Sequence, residues 1–275
     1  MLILMIVDTT KPSRIGMLLF PGYQVLDAWG PLDSLNTLSW NQKLELSILS
    51  EDGAPVSTRN GNPVWAKSGS NVSETVIATH SFANAPPLDV LFVPGGAGVR
   101  DPAIQSSIDF IRKTYPTLQY LVTVCTGAGV AARAGVLDGK NATTNKRAFY
   151  EMANHGPNTW WHSQARWVVD GNIWSSSGVS AGMDVTLAWI QSIWGTAVAE
   201  DLALGAEYDW HRDPSWDPFS LKWNISDVVN GVTMPPRSPT AMPTATGVSP
   251  PVYATPTGGM ANIAKPRQFA RYGKY

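Results

Sequence analysis

The amino-acid sequence predicts an α/β protein with a mostly parallel central sheet that is covered by helices on both faces. Two observations support this fold class. Continuous apolar runs, such as RIGMLLF at 14–20, end at turns that contain glycine or proline, which is typical of buried parallel strands. Segments with apolar residues at helical spacing follow several of these runs, and strands that alternate with helices indicate a parallel sheet.

Each element is predicted from its local pattern. Buried strands are expected at 14–20, 44–50, 88–98 (where the strand runs into a glycine loop) and 118–124. Helices are expected at 26–38, 103–115, from Cys125 to about Ala134, at 180–195 and at about 197–207. A hairpin is expected at 165–178, with Asp170 and Gly171 at its turn. Ser180 is expected to cap the 180–195 helix, and Gly195 to end it.

The composition is that of an ordinary globular protein. The chain has 275 residues, a hydrophobic share of 44% and a formal net charge of −1, which argues against a basic surface of the kind that binds nucleic acid or anionic membranes. A single cysteine excludes an internal disulfide. The apolar start, MLILMIVDTT, has no basic region and no cleavage site typical of a secretory signal, and no stretch reaches the length of a membrane span. We expect a cytoplasmic protein with no nucleic-acid or membrane partner.

Composition also divides the chain. One folded domain is expected over 14–230, followed by a tail over 231–275 that is rich in Pro, Thr and Ser and has no periodicity. We expect this tail to be extended or disordered. Residues 51–75 are rich in Gly, Asn, Ser and Pro, which predicts an excursion from the main sheet with a hairpin turn at NGNP, 60–63.

Cys125 lies at the predicted junction of a strand and a helix. Such a junction is a tight elbow that holds its side chain clear of the sheet edge, as in nucleophile elbows. The small residues Thr126, Gly127 and Gly129 leave space beside the sulfur, and the positive end of the following helix favours the thiolate. Cys125 is therefore a candidate nucleophile, although a buried structural cysteine fits the same stretch.

A glycine loop and an acidic residue are two further candidates. The loop VPGGAG at 93–98 follows a predicted strand, and its backbone amides are candidates for an oxyanion hole, although a plain strand-to-helix turn fits it equally. Asp27 lies in an apolar helix start after the first strand, a setting that raises the pKa of a carboxyl. It is a candidate general acid–base, and helix capping is the alternative.

Other catalytic patterns are absent from the sequence. None of the histidines, at 80, 155, 162 and 211, adjoins Cys125, so no cysteine–histidine dyad is visible locally. No HExxH, CxxC or clustered Asp/His spacing indicates a metal site. The sequence predicts no metal.

Four stretches together resemble the ThiJ/PfpI family of the class I glutamine amidotransferase-like superfamily. They are RIGMLLFPGYQVLDAWGPLDSL, SFANAPPLDVLFVPGGAGV, LVTVCTGAGVAARAGVLDGKNATTNK and SSSGVSAGMDVTLAWI, within 14–207. The thiol followed by Thr126, and Asp27 in LDAWGP, most resemble the isonitrile hydratase branch. Related transcription regulators share the pattern but append a helix-turn-helix region, which the tail of this chain cannot supply.

The resemblance implies a flavodoxin-like three-layer sandwich, a homodimer and a nucleophile elbow. Cys125 would be the nucleophile, Asp27 its carboxyl partner, and Thr126 would contribute its amide and its hydroxyl. Gly95, Gly96 and Gly127 would bind the substrate or an oxyanion. The implied reaction hydrates an isonitrile, a small-molecule substrate, to an N-formamide through a thioimidate on the sulfur. It needs no cofactor.

Three features leave alternatives open. Relatives often carry His after ATT, where this chain has Asn145, so a role for this position is in doubt. Tryptophans cluster around the predicted hairpin and fit either core and dimer packing or a wall for a bulky apolar substrate: Trp160, Trp161, Trp167 and Trp174. A redox-sensing or chaperone-like dimer would use the same thiol. A glyoxalase- or protease-like activity is disfavoured because those branches place His where Thr126 stands.

Overall fold

The computed structural model of the chain describes residues 11–59 and 68–235. Its strands are β1 (Arg14–Leu18), β2 (Glu45–Ser50), β3 (Val56–Ser57), β4 (Thr75–Val76), β5 (His80–Ser81), β6 (Val90–Val93), β7 (Tyr120–Thr123), β8 (Asn141–Ala142), β9 (Trp160–Trp161), β10 (Trp167–Asp170), β11 (Ile173–Ser176), β12 (Val228–Val229) and β13 (Val232–Thr233). Its α-helices are α1 (Val25–Leu38), α2 (Gln105–Thr114), α3 (Gly127–Arg133), α4 (Phe149–His155), α5 (Ala181–Trp194), α6 (Thr196–Gly205) and α7 (Phe219–Lys222).

The main sheet has seven strands in the order β10-β11-β7-β6-β1-β2-β5. Every neighbouring pair is parallel except β10 with β11. The two central strands β6 and β7 are almost wholly buried, which explains why their sequences read as continuous apolar runs. The prediction of a mostly parallel sheet is confirmed.

The larger helices form two packed groups. Helices α1, α5 and α6 contact one another, and α3 contacts both α2 and α4, as expected of a sheet covered on both faces. In the first group, Trp189 of α5 is fully buried and lies edge-on to Phe92 of β6, with ring centroids 5.9 Å apart. This packing holds α5 over the middle of the sheet. The flavodoxin-like sandwich is confirmed.

The predicted hairpin is formed by β10 and β11, and its turn lies one residue later than expected. Asp170 pairs with Ile173, so the two turn residues are Gly171 and Asn172. Gly171 has a φ of 61°, and glycine at the first turn position is what a type II′ hairpin requires.

Ser180 precedes α5 but does not cap it with its side chain, so that expectation is wrong. Its backbone is already helical, with φ −64° and ψ −25°, which turns the hydroxyl away from the free amides of the first turn. The hydroxyl instead accepts a hydrogen bond of 3.2 Å from Arg166. Gly195 ends α5 with a φ of 94°, as predicted.

The segments outside the main sheet form two small sheets. Strands β3 and β4 pair within the predicted excursion at 51–75, whereas the expected turn at 60–63 lies outside the described residues. Strands β8, β9, β12 and β13 form a four-stranded sheet, in which the β12–β13 hairpin turns at Asn230 and Gly231. The expected tail lies outside the description from residue 236 onward.

Three of the four clustered tryptophans belong to the core. Trp161, Trp167 and Trp174 are buried, and the indole of Trp161 donates to the carbonyl of Gly156 at 2.9 Å. These side chains stabilise the junction of the two larger sheets. Within 11–59 and 68–235, no helix is both long and apolar enough to cross a membrane.

Candidate active site

Cys125 occupies the elbow between β7 and α3. Its φ is 59°, a left-handed conformation that is uncommon for any residue other than glycine. The surrounding hydrogen bonds hold it there: its N–H donates to the carbonyl of Ser177 at 3.0 Å, and its own carbonyl accepts from the Thr144 hydroxyl at 2.8 Å. Strain that neighbouring bonds impose on one residue is typical of functional sites.

Asp27 lies in the first turn of α1 and is fully buried. It does not cap the helix: its Oδ2 accepts a hydrogen bond of 2.9 Å from the N–H of Gly95, and it faces Cys125. The structure thus brings the first helix, the glycine loop and the elbow together because β1, β6 and β7 are neighbours in one parallel sheet.

The glycine loop is tied to the two side chains beside it. Gly96 donates its N–H to the Thr126 hydroxyl at 2.9 Å, as Gly95 does to Asp27. A Cβ on Gly95 would lie 2.5 Å from the N and Oγ1 of Thr126 and 3.0 Å from Oδ2 of Asp27. The loop therefore needs glycine here so that its backbone can approach both partners.

Gly127 has a different environment from the one expected. Its N–H donates to the carbonyl of Val124 at 2.9 Å, and a Cβ on it would meet the backbone of Val93 and Pro94. Oxyanion binding by Gly95, Gly96 or Gly127 stays a prediction, and it requires each amide to release the acceptor that it holds in this structure.

Three groups lower the pKa of the Cys125 thiol: the backbone N–H groups of Val179 and Thr126 and the side-chain amide of Asn145. Val179 lies just beyond β11 and has a φ of 32°, a strained value for a β-branched residue. Val179 was not among the residues predicted from the sequence, and the role of Asn145 was in doubt. The signal for Val179 was its place after β11, because parallel neighbours β7 and β11 end at the same sheet edge.

The N–H of Thr126 at the start of the helix favours the thiolate as expected, but burial outweighs it. Burial raises the pKa of the Cys125 thiol to about 12, and the charge of Asp27 raises it further, while the three donors lower it by less. The residue is only 5% exposed, so the loss of water outweighs the first-turn amides of a short helix. In the resting site the sulfur carries its proton.

The expectation of a raised pKa at Asp27 is confirmed. Burial raises the pKa of its carboxyl to about 7, opposed by the hydrogen bonds from Gly95 and Cys125. Because each charge disfavours the other, the two groups titrate as a pair. Protonation of Asp27 removes the charge that opposes ionisation of Cys125, so the thiolate forms most easily when the proton moves to Asp27.

The sulfur lies outside the two cavities described here. One, of about 220 Å³, lies beyond β1 and β2; the other, of about 320 Å³, is a groove between α1, α5 and α6. Neither is lined by Cys125. The neighbouring Asn145, Gly178 and Val179 are half-buried, which marks the side from which a small molecule can approach.

A buried lysine supports this side of the site. Lys146 is 2% exposed and donates to the carbonyl of Ala165 at 2.8 Å and to the hydroxyl of Thr143 at 2.5 Å. It also lies 3.4 Å from a carboxylate oxygen of Asp217, and burial lowers its pKa to about 8. These bonds fix the segment that carries Asn145.

In the described ranges, no group of three or more His, Cys, Asp or Glu side chains forms a metal-binding cluster.

The fold is a flavodoxin-like sandwich, and its site has a cysteine on a strained strand-to-helix elbow with a carboxyl beside the sulfur. These features together define a class of α/β proteins with a cysteine at the elbow. The sequence profile of the DJ-1/PfpI family matches residues 13–192. The chain belongs to the DJ-1/PfpI family.

The relatives include both an enzyme and regulators. The chain is 34% identical over 197 residues to an isonitrile hydratase of Pseudomonas putida, covering 71% of this chain and 78% of the hydratase. It is 28% identical over 180 residues to the HTH-type transcriptional regulator GbdR of Pseudomonas aeruginosa, covering 64% of this chain and 46% of the regulator.

Solved structures agree with this assignment. A ThiJ/PfpI family protein from Pseudomonas syringae superimposes with a TM-score of 0.61 at 27% identity, covering 77% of this chain and 81% of its own. Drosophila melanogaster DJ-1beta shares the fold, with a TM-score of 0.58 at 19% identity over 73% of this chain and all of its own.

Proposed function

We propose that this protein is a cysteine-dependent hydratase that converts an isonitrile to an N-formamide, with Cys125 as nucleophile and Asp27 as proton shuttle. The proposal rests on the buried Asp27 carboxyl and the Cys125 thiol being close enough that each shifts the pKa of the other. The similarity to an isonitrile hydratase supports the choice of substrate class.

The first half of the reaction forms a thioimidate. The proton of the Cys125 thiol moves to the Asp27 carboxylate, and the sulfur attacks the terminal carbon of R–N≡C. Asp27 returns the proton to that carbon, which gives the adduct S–CH=N–R. The pKa of about 7 at Asp27 suits both transfers because the group gains and loses a proton readily near neutral pH.

The second half consumes one water. Asp27 takes a proton from water as the water oxygen adds to the thioimidate carbon, and it passes this proton to the nitrogen. The new hydroxyl then loses its proton through Asp27 to the sulfur as the C–S bond breaks, and R–NH–CHO leaves. The sum is one isonitrile plus one water to one formamide. Thr126 binds and positions Gly96, while Gly95 orients Asp27 for both steps.

The proposal extends to the state and location of the protein. We infer a homodimer in the cytoplasm that acts without a cofactor, and one folded domain over 14–230 with an appended tail over 231–275. We do not extend transcriptional regulation to this protein, because the matched region covers only 46% of the regulator GbdR.

Replacement of the nucleophile tests the reaction. We expect Cys125→Ala to abolish formamide production from an alkyl isonitrile while its circular dichroism and unfolding midpoint match the wild type. Chromatography with mass detection follows the product. Formamide production at the wild-type rate by this variant would falsify the proposed reaction.

A second candidate function is oxidation sensing, and one observation favours it. Cys125 is 5% exposed, which suits a reagent as small as peroxide better than a bulky isonitrile. Mass spectrometry after separate exposure to isonitrile, aldehyde and peroxide distinguishes the candidates, because Cys125 is the only cysteine. A hydratase gains the isonitrile mass and releases formamide, whereas a sensor gains oxygen and releases nothing.

A further inference from the structure

The side chain of Asn145 is held in one orientation. Its Oδ1 accepts hydrogen bonds from the N–H groups of Arg147 at 3.0 Å and Ala148 at 3.2 Å, so it caps the 3₁₀ turn at 146–148. Two backbone donors require an oxygen at this position. The NH₂ group must therefore point to the opposite side, away from the turn.

The NH₂ group of Asn145 points into a space bounded by Gly178 and Cys125. A Cβ on Gly178 would lie 2.6 Å from Nδ2, so the missing side chain at 178 is what leaves room for the amide. The amide lies near Cys125 and lowers the pKa of its thiol. Thr144, the residue before Asn145, binds the Cys125 carbonyl, which fixes the spacing between the two segments.

We propose that Asn145 is a further catalytic residue, a permanent hydrogen-bond donor that stabilises negative charge on the Cys125 sulfur. The inference rests on the proposed role of Cys125 as the reacting group. An amide neither gains nor loses a proton in the working pH range. It can therefore support the sulfur when the proton has moved to Asp27 and when the thiolate leaves the thioimidate, without competing for that proton.

The chemistry explains why an amide is sufficient here. Asp27 already supplies the titrating group, and a second titrating group beside the sulfur would divide the proton among three sites. The backbone donors Val179 and Thr126 complete a set of three uncharged donors. Hydrogen bonds to a charged acceptor are stronger than those to a neutral one, so these donors act most on the thiolate.

Alkylation of the single cysteine by iodoacetamide tests the inference without any turnover. Asn145→Ser keeps an oxygen that can cap the 146–148 turn but has no donor that reaches the sulfur. We expect its alkylation rate at pH 8 to fall about tenfold relative to wild type. The unfolding midpoint should stay within a few degrees of wild type.

Asn84→Ser is the matched control. The Oδ1 of Asn84 likewise accepts from a backbone N–H, that of Ser81 at 2.7 Å, but Asn84 follows β5, four strands away from β7. We expect its alkylation profile to match the wild type. A wild-type profile in Asn145→Ser, or an equal shift in Asn84→Ser, overturns the inference.

Gly178→Ala is the second variant, to be used if Asn145→Ser does not fold. Its new Cβ displaces the amide of Asn145 while that residue remains in place, so the same slowing of alkylation is expected. Alkylation of a folded Gly178→Ala protein at the wild-type rate would contradict the inference. A shifted profile in a protein that makes no formamide would leave the Asn145 inference standing and remove the proposed hydratase reaction.

Discussion

At the scale of single residues, Asp27 and Cys125 share one buried environment and depend on each other for their protonation. Burial raises the pKa of both groups, to about 7 for the carboxyl and about 12 for the thiol. A protonated thiol in the resting site protects the sulfur from random reagents, and a nearby carboxyl of pKa about 7 supplies the means to ionise it.

Removal of the titrating group at Asp27 should slow the reaction. Asn at position 27 can still accept the hydrogen bond from Gly95, but it cannot shuttle a proton. We expect Asp27→Asn to lower the rate of formamide production by about 10²-fold or more. Asp33→Asn, at an exposed position of the same helix, is the control and should keep the wild-type rate. Near-normal activity of Asp27→Asn would reduce Asp27 to a structural residue.

The raised pKa of Asp27 also predicts how stability depends on pH. The folded pKa of about 7 exceeds the value of 3.8 for an ordinary Asp, so the folded state binds this proton more tightly than the unfolded state. The resulting stabilisation is complete below pH 4 and is lost as the pH rises to 7, at about 1.4 kcal/mol per pH unit. Denaturant unfolding of wild type and Asp27→Asn should show this slope in the difference between them. Parallel curves from pH 4 to 7 would contradict it.

The sequence indicated these two residues but not the state of the sulfur. A carboxyl in an apolar helix start and a thiol at an elbow are local patterns, and both predicted positions face each other in the structure. The thiol pKa depends on how much of the whole fold covers the sulfur, which no local pattern contains. Asn145 was undervalued for the same reason, because its amide direction is set by the 146–148 turn and by the space at Gly178.

At the scale of elements, the site is built from segments that leave the same sheet edge. The loop after β6 touches the helix after β1 through the bond from Gly95 to Asp27, and it touches the elbow after β7 through the bond from Gly96 to Thr126. Close approach of backbone to side chain at these points leaves no room for a methyl group at Gly95.

A methyl group at position 95 should therefore disrupt the loop. In Gly95→Ala the new Cβ would lie 2.5 Å from the backbone N of Thr126, which cannot rotate away. We expect the free energy of unfolding to fall by about 1–3 kcal/mol, with loss of activity. Gly205→Ala in α6 is the control: its Cβ meets no atom within 4 Å, so helix propensity should make it neutral or stabilising by up to about 1 kcal/mol. Equal stability of the two variants in urea titrations would refute this packing argument.

The long elements could be predicted and the short ones could not. The strands of the main sheet with four or more residues and helices α1, α2 and α5 have apolar runs or helical periodicity that extend over several residues. The four-stranded sheet is made of two-residue strands, which are too short to show alternation. Its existence depends on β12 returning to β9 from a distance of over sixty residues.

At the scale of the whole molecule, the last described residues bind back to the segment around β9. Asp227, just before β12, accepts hydrogen bonds from the N–H of Ser163 at 2.7 Å and from its hydroxyl at 2.8 Å. Met234 then donates its N–H to the carbonyl of Asp227 at 2.8 Å. The boundary at residue 230 was predicted from composition. Composition cannot reveal the β12–β13 hairpin, whose strands pair across that boundary.

Truncation tests the proposed division of the chain. We expect a variant that ends at Pro235 to keep the activity, the unfolding midpoint and the dimeric mass of the full chain, as measured by calorimetry and light scattering. A variant that ends at Ile225 lacks Asp227 and both strands of the hairpin, and its unfolding midpoint should fall. A monomeric mass for the full chain would contradict the proposed homodimer, and loss of folding at Pro235 would contradict the proposed domain.

The late return of β12 to β9 has a consequence for biosynthesis. While the ribosome is still translating the codons before Val228, Trp160 and Trp161 can pair with β8, but β12, their second strand partner, has not been made. The final pairing of β9 and the hydrogen bonds of Ser163 to Asp227 therefore form only after residues 227–229 have been made. Completion of the central sheet is thus not the last step in the folding of this protein.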